Sequence, residues 1–80
     1  MSRRKKRNRD AEIFGQTVRR LRTERGLTQE RLAELADLNV SYIGFIERGE
    51  NVPTLSIVLD LADALGVEPA ELIRDVARQR

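Results

Sequence analysis

The apolar residues of this chain recur at helical spacing, in segments that turn residues separate from one another. Phe14, Val18 and Leu21 follow one another at i, i+4 and i+7, which is the spacing of one face of an α-helix. Asp10 lies where its side chain can cap the start of this helix, and Gly26 can end it in a left-handed backbone conformation. These residues predict a first amphipathic helix.

Two shorter helices are predicted next. Thr28 and Asn39 are suited to cap the second and third helices, and Gly49 is suited to end the third. The positions expected to face the core are Leu32, Leu35 and Ala36 on the second helix and Ile43 and Ile46 on the third. The break at residues 37–39 is too short for two helices lying side by side, and Ala33 is small enough for a close crossing. We therefore predict that the second and third helices cross at a steep angle, in the helix-turn-helix arrangement.

Two more helices complete the pattern. Pro53 prevents the third helix from continuing, Thr54 can cap a fourth that Gly66 ends, and Pro69 can occupy the first turn of a fifth. Their apolar positions are Leu55, Val58, Leu59, Ala62 and Leu65 on the fourth helix and Leu72, Ile73 and Val76 on the fifth. The sequence contains no strand-like alternation and no internal repeat, so we predict an all-α domain of five short helices.

Composition restricts the chemistry that this domain can perform. The 80 residues include no cysteine and no histidine, which removes disulfides, thiolate metal sites, and the commonest general base and metal ligand. No nucleophile paired with a base and no metal-binding constellation is visible, so we expect neither an enzyme nor a cofactor. No apolar run reaches the roughly 20 residues of a membrane span, and no apolar signal segment follows the basic start. We therefore expect a cytoplasmic protein.

The charge is unevenly distributed. Residues 1–9 contain six of the 15 basic residues and no acid, whereas the remaining residues contain nine basic and 13 acidic side chains. A basic segment on an acidic body is typical of an arm that binds polyanions, although a solvated terminus that aids solubility has the same composition. On either interpretation we expect residues 1–9 to be a disordered arm in the free protein and residues 10–80 to form the domain.

The stretch "GLTQERLAELADLNVSYIGFIERGENVPTL", followed by "LADALGV", resembles the lambda-repressor-like (Cro/C1, or XRE) helix-turn-helix family of bacterial and phage transcription regulators. The resemblance extends over roughly residues 10–77. Within that family, "SYIGFIERGE" and the absence of a second domain are most similar to the small controller proteins of restriction-modification systems. Two departures are Asp37, where the family usually has glycine, and Asn51-Val52, where it has a sequence closer to Arg-Asn.

The outward face of the third helix is the predicted DNA-reading surface. At 100° per residue, Ser41, Gly44, Phe45 and Arg48 lie opposite the core positions, and Gly44 permits close approach to a major groove. With the start of the helix against base edges, as the resemblance implies, the candidate base contacts are Asn39, Val40, Ser41, Tyr42 and Phe45. Asn39 has capping as an alternative role, and Phe45 has packing against a neighbour or a partner protein.

Phosphate contacts are expected around this face. By resemblance, Gln29 at the start of the second helix binds a backbone phosphate, which the positive end of the helix dipole favours. Arg48 and Asn51 are further candidates, and Arg19 and Arg20 on the first helix are candidates that a solvated helix surface explains equally well. The resemblance also implies that Arg22 and Glu47 form a buried ion pair, with a structural role and no contact to DNA.

A single small module contacts few bases, so specificity favours a homodimer that reads half-sites about one helical turn, ~34 Å, apart. The resemblance implies a dimer surface on the fifth helix and the end of the fourth, with Leu72, Ile73 and Val76 as its apolar residues. Packing of these residues onto their own core is the alternative. RNA polymerase is a possible further partner, through Glu30 and Glu34 of the second helix.

Together with the resemblance, the sequence therefore predicts a regulator, associated with the bacterial nucleoid, that binds a two-fold symmetric double-stranded DNA operator. Its narrower interpretation is control of a restriction-modification operon. An antitoxin that neutralises a partner protein and regulates its own operon is the alternative, because Phe45 or the fifth helix could contact such a partner. RNA binding by the basic arm is a further alternative.

Overall fold

The computed structural model describes residues 8–80, and this part of the chain contains five α-helices and no strand. The helices are α1 (Arg9–Glu24), α2 (Gln29–Ala36), α3 (Val40–Glu47), α4 (Leu55–Leu65) and α5 (Pro69–Arg78). The prediction of an all-α, five-helix domain is therefore confirmed. No helix within the described range is long and apolar enough to cross a bilayer.

Helix starts and ends follow local chemistry, with one exception. The side chains of Thr28, Asn39 and Thr54 accept hydrogen bonds from backbone N–H groups in the first turns of α2, α3 and α4, as predicted. The predicted cap at Asp10 is wrong, because the Asn8 side chain accepts from the Ala11 N–H at 3.0 Å. The earlier start lengthens α1 and leaves Asp10 and Glu12 in the first turn, where the helix dipole favours acidic residues.

This earlier start also moves the boundary of the basic arm. Asn8 and Arg9, which the sequence assigned to the arm, are the cap and the first residue of α1. Residues 1–7 lie outside the described part of the chain, and so does the prediction that they are disordered and bind polyanions.

The core lies where α1 packs on α3 and α5 while α2 packs on α3 and α4. Its completely or almost completely buried large side chains are Val18, Leu21, Leu32, Ile43, Ile46, Leu61 and Leu72. Leu35, which we predicted to face inward, is exposed, and so are Leu55 and Leu59 among the predicted apolar positions of α4. Leu61 of α4 was not predicted and is buried, because α4 packs against both α2 and α5.

The turn between α2 and α3 depends on a left-handed aspartate. Asp37 has φ 57° and ψ 46°, and the Leu38 N–H donates to the Ala33 carbonyl at 2.8 Å. This pattern closes α2 as a Schellman motif and sends the chain directly into α3. Ala33 itself is buried, as the predicted close crossing of the two helices requires.

A second close approach fixes the position of α3 against α1. A β-carbon at Gly15 would overlap the Ile46 carbonyl oxygen and would lie 2.9 Å from the Glu47 carbonyl oxygen. Only glycine fits at this point without separating the two helices. Gly15 thereby sets how far α3 can approach α1, and with it the orientation of the face that α3 turns outward.

Candidate nucleic-acid interface

The outward face of α3 and the start of α2 border one shallow depression. Val40, Ser41 and Phe45 of α3 are exposed, as is Arg48 directly after the helix, while Ile43 and Ile46 on the opposite face are completely buried. These four exposed residues, with Gln29 and Gly44, line a concavity of about 320 Å³. The structure therefore brings three predicted base contacts, Val40, Ser41 and Phe45, together with two predicted phosphate contacts, Gln29 and Arg48.

Gln29 is held in place from behind. It is the first residue of α2, and its Nε2 donates to Oε1 of Glu47 at 3.0 Å. The start of α2 carries the positive end of the helix dipole, which favours an anion beside it. Because the same Glu47 belongs to α3, the anion-favouring end of α2 is fixed relative to the outward face of α3.

Arg22 and Glu47, the two residues that the resemblance pairs, form a bidentate ion pair. The Arg22 Nε donates to Glu47 Oε2 at 2.7 Å, and its Nη2 donates to Oε1 at 3.1 Å. The Arg22 Nη1 also donates to the Leu27 carbonyl at 2.8 Å. The two side chains are only 11% and 3% exposed, so this pair lies inside the domain and joins α1 to the end of α3.

Tyr42 and Asn51, both predicted to contact DNA, bind each other. The Tyr42 hydroxyl donates to Asn51 Oδ1 at 2.8 Å, and the Tyr42 ring packs against the core. The Tyr42 hydroxyl therefore donates its hydrogen bond within the protein, whereas the N–H groups of the Asn51 side-chain amide stay available to a ligand. Asn39 uses its side-chain oxygen to cap α3, accepting from the Ser41 N–H at 2.8 Å.

Arg48 lies across the outward face of α3. Its guanidinium is bound to Glu50 and lies 5.3 Å from the centre of the Phe45 ring. The side chain also covers Gly44, which is buried although its backbone belongs to the outward face. The open position that we predicted at Gly44 is thus occupied by an arginine in the free protein.

Arg19 and Arg20 of α1 are exposed, and neither lines this depression. The Arg20 Nη1 lies 3.5 Å from Glu24, and its Nη2 lies 3.5 Å from Asp75 of α5. Arg20 is therefore engaged by carboxylates of α1 and α5, away from the residues that line the depression beside α3. Arg19 is exposed next to it in the sequence.

The residues predicted to form a dimer surface divide into two groups. Leu72 is completely buried in the core of its own domain, so its assignment to a dimer interface is wrong. A side chain with no exposed area cannot contact a partner protein. Ile73 is 43% exposed and lines, with the partly buried Val76, an almost entirely apolar depression of about 200 Å³.

This apolar depression includes residues that sequence reasoning missed. Val52 and Pro53 of the linker border it next to Phe14 and Val58, and Val52 is among the most exposed apolar residues of the described chain. The available signal was the apolar Val52-Pro53 pair in a linker that would ordinarily be polar. Within residues 8–80, no group of side chains is arranged to hold a metal ion.

Comparison with known families identifies the architecture. A family model described as helix-turn-helix matches residues 18–72, which is more than half of the chain and spans the core helices. This chain belongs to that helix-turn-helix family. The family match confirms the resemblance to Cro/C1-type (XRE) regulators that the sequence indicated.

The relatives of this helix-turn-helix protein are named as regulators. The HTH-type transcriptional regulator YazB of Bacillus subtilis, itself described as uncharacterized, is 41% identical over 63 residues, which are 79% of this chain and 91% of YazB. Control protein C.SmaI of Serratia marcescens is 42% identical over 62 residues, which are 78% of this chain and 74% of C.SmaI. The crystal structure of the restriction-modification controller protein C.AhdI of Aeromonas hydrophila superimposes with a TM-score of 0.80. The two sequences are 49% identical, and the aligned region covers 81% of this chain and 98% of C.AhdI.

These comparisons assign the chain to the DNA-binding transcriptional regulators. Such proteins are a non-enzymatic class.

Proposed function

We propose that this protein controls a restriction-modification operon by binding a two-fold symmetric operator as a homodimer, with α3 in the major groove. The observation that carries this proposal is the 49% identity to a restriction-modification controller over nearly the whole of that protein. The similarity to control proteins C.SmaI and C.BamHI supports the same assignment.

The chemistry of α3 suits base recognition in the major groove. Val40 and Phe45 present exposed apolar atoms of the kind that pack against thymine methyl groups, and the Ser41 hydroxyl can donate or accept. Gln29 at the start of α2 and the amide nitrogen of Asn51 supply N–H donors of the kind that bind backbone phosphates. Contact with RNA polymerase would use Glu30 and Glu34, which are exposed on α2.

Homodimer formation is proposed through the apolar depression that Ile73, Val76, Val52 and Pro53 border. A depression with almost no polar lining is costly to leave in contact with water, and a second copy can cover it with the same surface. We expect Ile73→Lys to be monomeric at concentrations where the wild-type protein is dimeric in sedimentation velocity. Leu35→Lys is the matched control, because Leu35 is 45% exposed on α2, outside this surface.

A wild-type protein that stays monomeric at all concentrations would contradict the proposed dimer. Equal effects of the two lysine variants would contradict its location, since the added charge alone would then explain the result.

The DNA-binding proposal is tested by selecting random duplex DNA with the purified full-length protein at physiological salt and sequencing the bound fraction. We expect a two-fold symmetric motif whose half-sites lie about one helical turn apart, located upstream of methyltransferase and endonuclease genes. A symmetric motif elsewhere in the genome would contradict the controller assignment alone. Recovery of unselected DNA only, held by salt-sensitive contacts, would contradict sequence-specific binding.

A further inference from the structure

The guanidinium of Arg48 is held on three sides in the free protein. Its Nε and Nη2 donate to the two carboxylate oxygens of Glu50 at 3.1 and 3.2 Å. Its carbon atom Cζ lies 5.3 Å from the centre of the Phe45 ring, within cation–π range. Its Nη1 lies over Gly44, 3.0 Å from the position that a β-carbon would occupy there. The Arg48 and Glu50 side chains are 55% and 53% exposed, and these contacts lay the charged end of Arg48 along the outward face of α3.

The backbone explains why Glu50 can reach this arginine. Gly49 has φ +75°, a left-handed conformation that reverses the chain at the end of α3. The Glu50 N–H then donates to the Phe45 carbonyl at 2.9 Å, which places the Glu50 side chain beside the last turn of the helix. A bidentate contact between an arginine and a carboxylate favours one orientation of the guanidinium, even in an exposed ion pair.

The way in which Glu50 binds determines which donors remain. A guanidinium has five N–H donors, and Glu50 uses the Nε hydrogen and one Nη2 hydrogen. The opposite edge keeps one Nη1 and one Nη2 hydrogen side by side, which is the pair that binds O6 and N7 of guanine. The Glu50 carboxylate also neutralises the charge of Arg48, which weakens its attraction to a phosphate more than its hydrogen bonding to a neutral base.

We propose that Arg48 reads a guanine in the major groove and that Glu50 is the positioning residue that holds it for this contact. The inference rests on the proposed placement of α3 in the groove. It changes the expected role of Arg48 from a phosphate contact to a specificity determinant, and it gives Glu50 a role that the sequence did not indicate.

The test compares the selected DNA motifs of the wild-type protein, Arg48→Lys, Glu50→Gln and Glu34→Gln. Glu34→Gln is the matched control, because it removes the same charge from an exposed ion pair, Arg31–Glu34, on α2. We expect one symmetric pair of G·C positions to lose preference roughly tenfold in Arg48→Lys and less in Glu50→Gln. Glu34→Gln should keep the wild-type preference there, and all variants should keep the wild-type melting temperature.

A second readout separates positioning from charge. The affinity of each variant for DNA lacking the motif is measured as a function of salt concentration. If Glu50 positions Arg48, Glu50→Gln loses discrimination at that base pair while its non-specific affinity stays equal or rises. If Glu50→Gln instead binds every sequence more tightly, with a steeper salt dependence and an unchanged motif, Glu50 competes with a phosphate and the proposed guanine contact is overturned.

The outcomes distinguish this inference from the proposed function. A wild-type protein that selects no motif would overturn both. A wild-type motif that all three variants reproduce at every position would overturn the guanine contact and leave the operator-binding function intact.

Discussion

Glu47→Ala is expected to remove a large part of the conformational stability of this domain. The carboxylate is 3% exposed and accepts three hydrogen bonds, two from Arg22 and one from Gln29. Without it, the Arg22 guanidinium remains almost buried, with the Leu27 carbonyl as its one remaining partner among the hydrogen bonds described above. Removing one member of a buried pair typically costs about 3–5 kcal/mol, because the other charge is left uncompensated.

This loss is large on the scale of so small a protein. At roughly 0.05–0.15 kcal/mol per residue, an 80-residue domain has a free energy of unfolding of about 4–12 kcal/mol. Each kilocalorie shifts the melting temperature of such a domain by about 4–8 °C, so Glu47→Ala should melt more than about 12 °C below the wild type. Urea titration followed by circular dichroism at 222 nm measures the free energy directly.

Two comparison variants test whether the cost of Glu47→Ala comes from a buried, unpaired charge. Glu34→Ala breaks the exposed Arg31–Glu34 pair and should cost no more than about 1 kcal/mol. Replacing both buried partners, as in Arg22→Met/Glu47→Leu, should recover much of the loss, because no unpaired charge then remains inside the domain. A cost below about 1 kcal/mol for Glu47→Ala, or a double variant no more stable than the single one, would show that the pair is hydrated and contributes little.

Two further predictions concern backbone positions. Gly15→Ala should destabilise the domain by about 1–3 kcal/mol in urea titration, because the added methyl group separates α1 from α3. Gly44→Ala is the matched control within a helix, because its methyl group meets only the Arg48 side chain. If both variants lost the same free energy of unfolding, the close approach of α1 and α3 at Gly15 would be contradicted. Asp37→Gly should raise the free energy of unfolding by about 0.5–1 kcal/mol by relieving the left-handed backbone at φ 57°. A melting temperature that stays the same or falls would show that the aspartate is not strained there.

The helix boundaries were predictable because capping is local. Thr28, Asn39 and Thr54 bind N–H groups two or three residues away, and Gly66 ends α4 in a left-handed conformation at φ 70°. The error at the start of α1 has the same local origin. Two good caps, Asn8 and Asp10, stand two residues apart, and the sequence alone does not rank them.

The core residues were predicted less well, because burial depends on which helices meet. Helical periodicity marks an apolar arc that is wider than the contact it forms. Leu35 and Leu59 lie on the exposed edges of such arcs, whereas Leu61 lies in the contact. Leu72 shows the same limit from the other side, since an apolar residue in the last helix looks the same in sequence whether its own core or a partner buries it.

For the candidate site, the sequence by itself determined which face of α3 is directed away from the core. A periodicity of 3.6 residues specifies that face without knowledge of the fold. Tertiary structure decided how the residues of the site are held. It joined Tyr42 to Asn51, laid Arg48 over Gly44 against Glu50, and tied Gln29 to Glu47. Such contacts depend on side-chain directions and on the crossing of separate helices, which the spacing of residues along the chain does not specify.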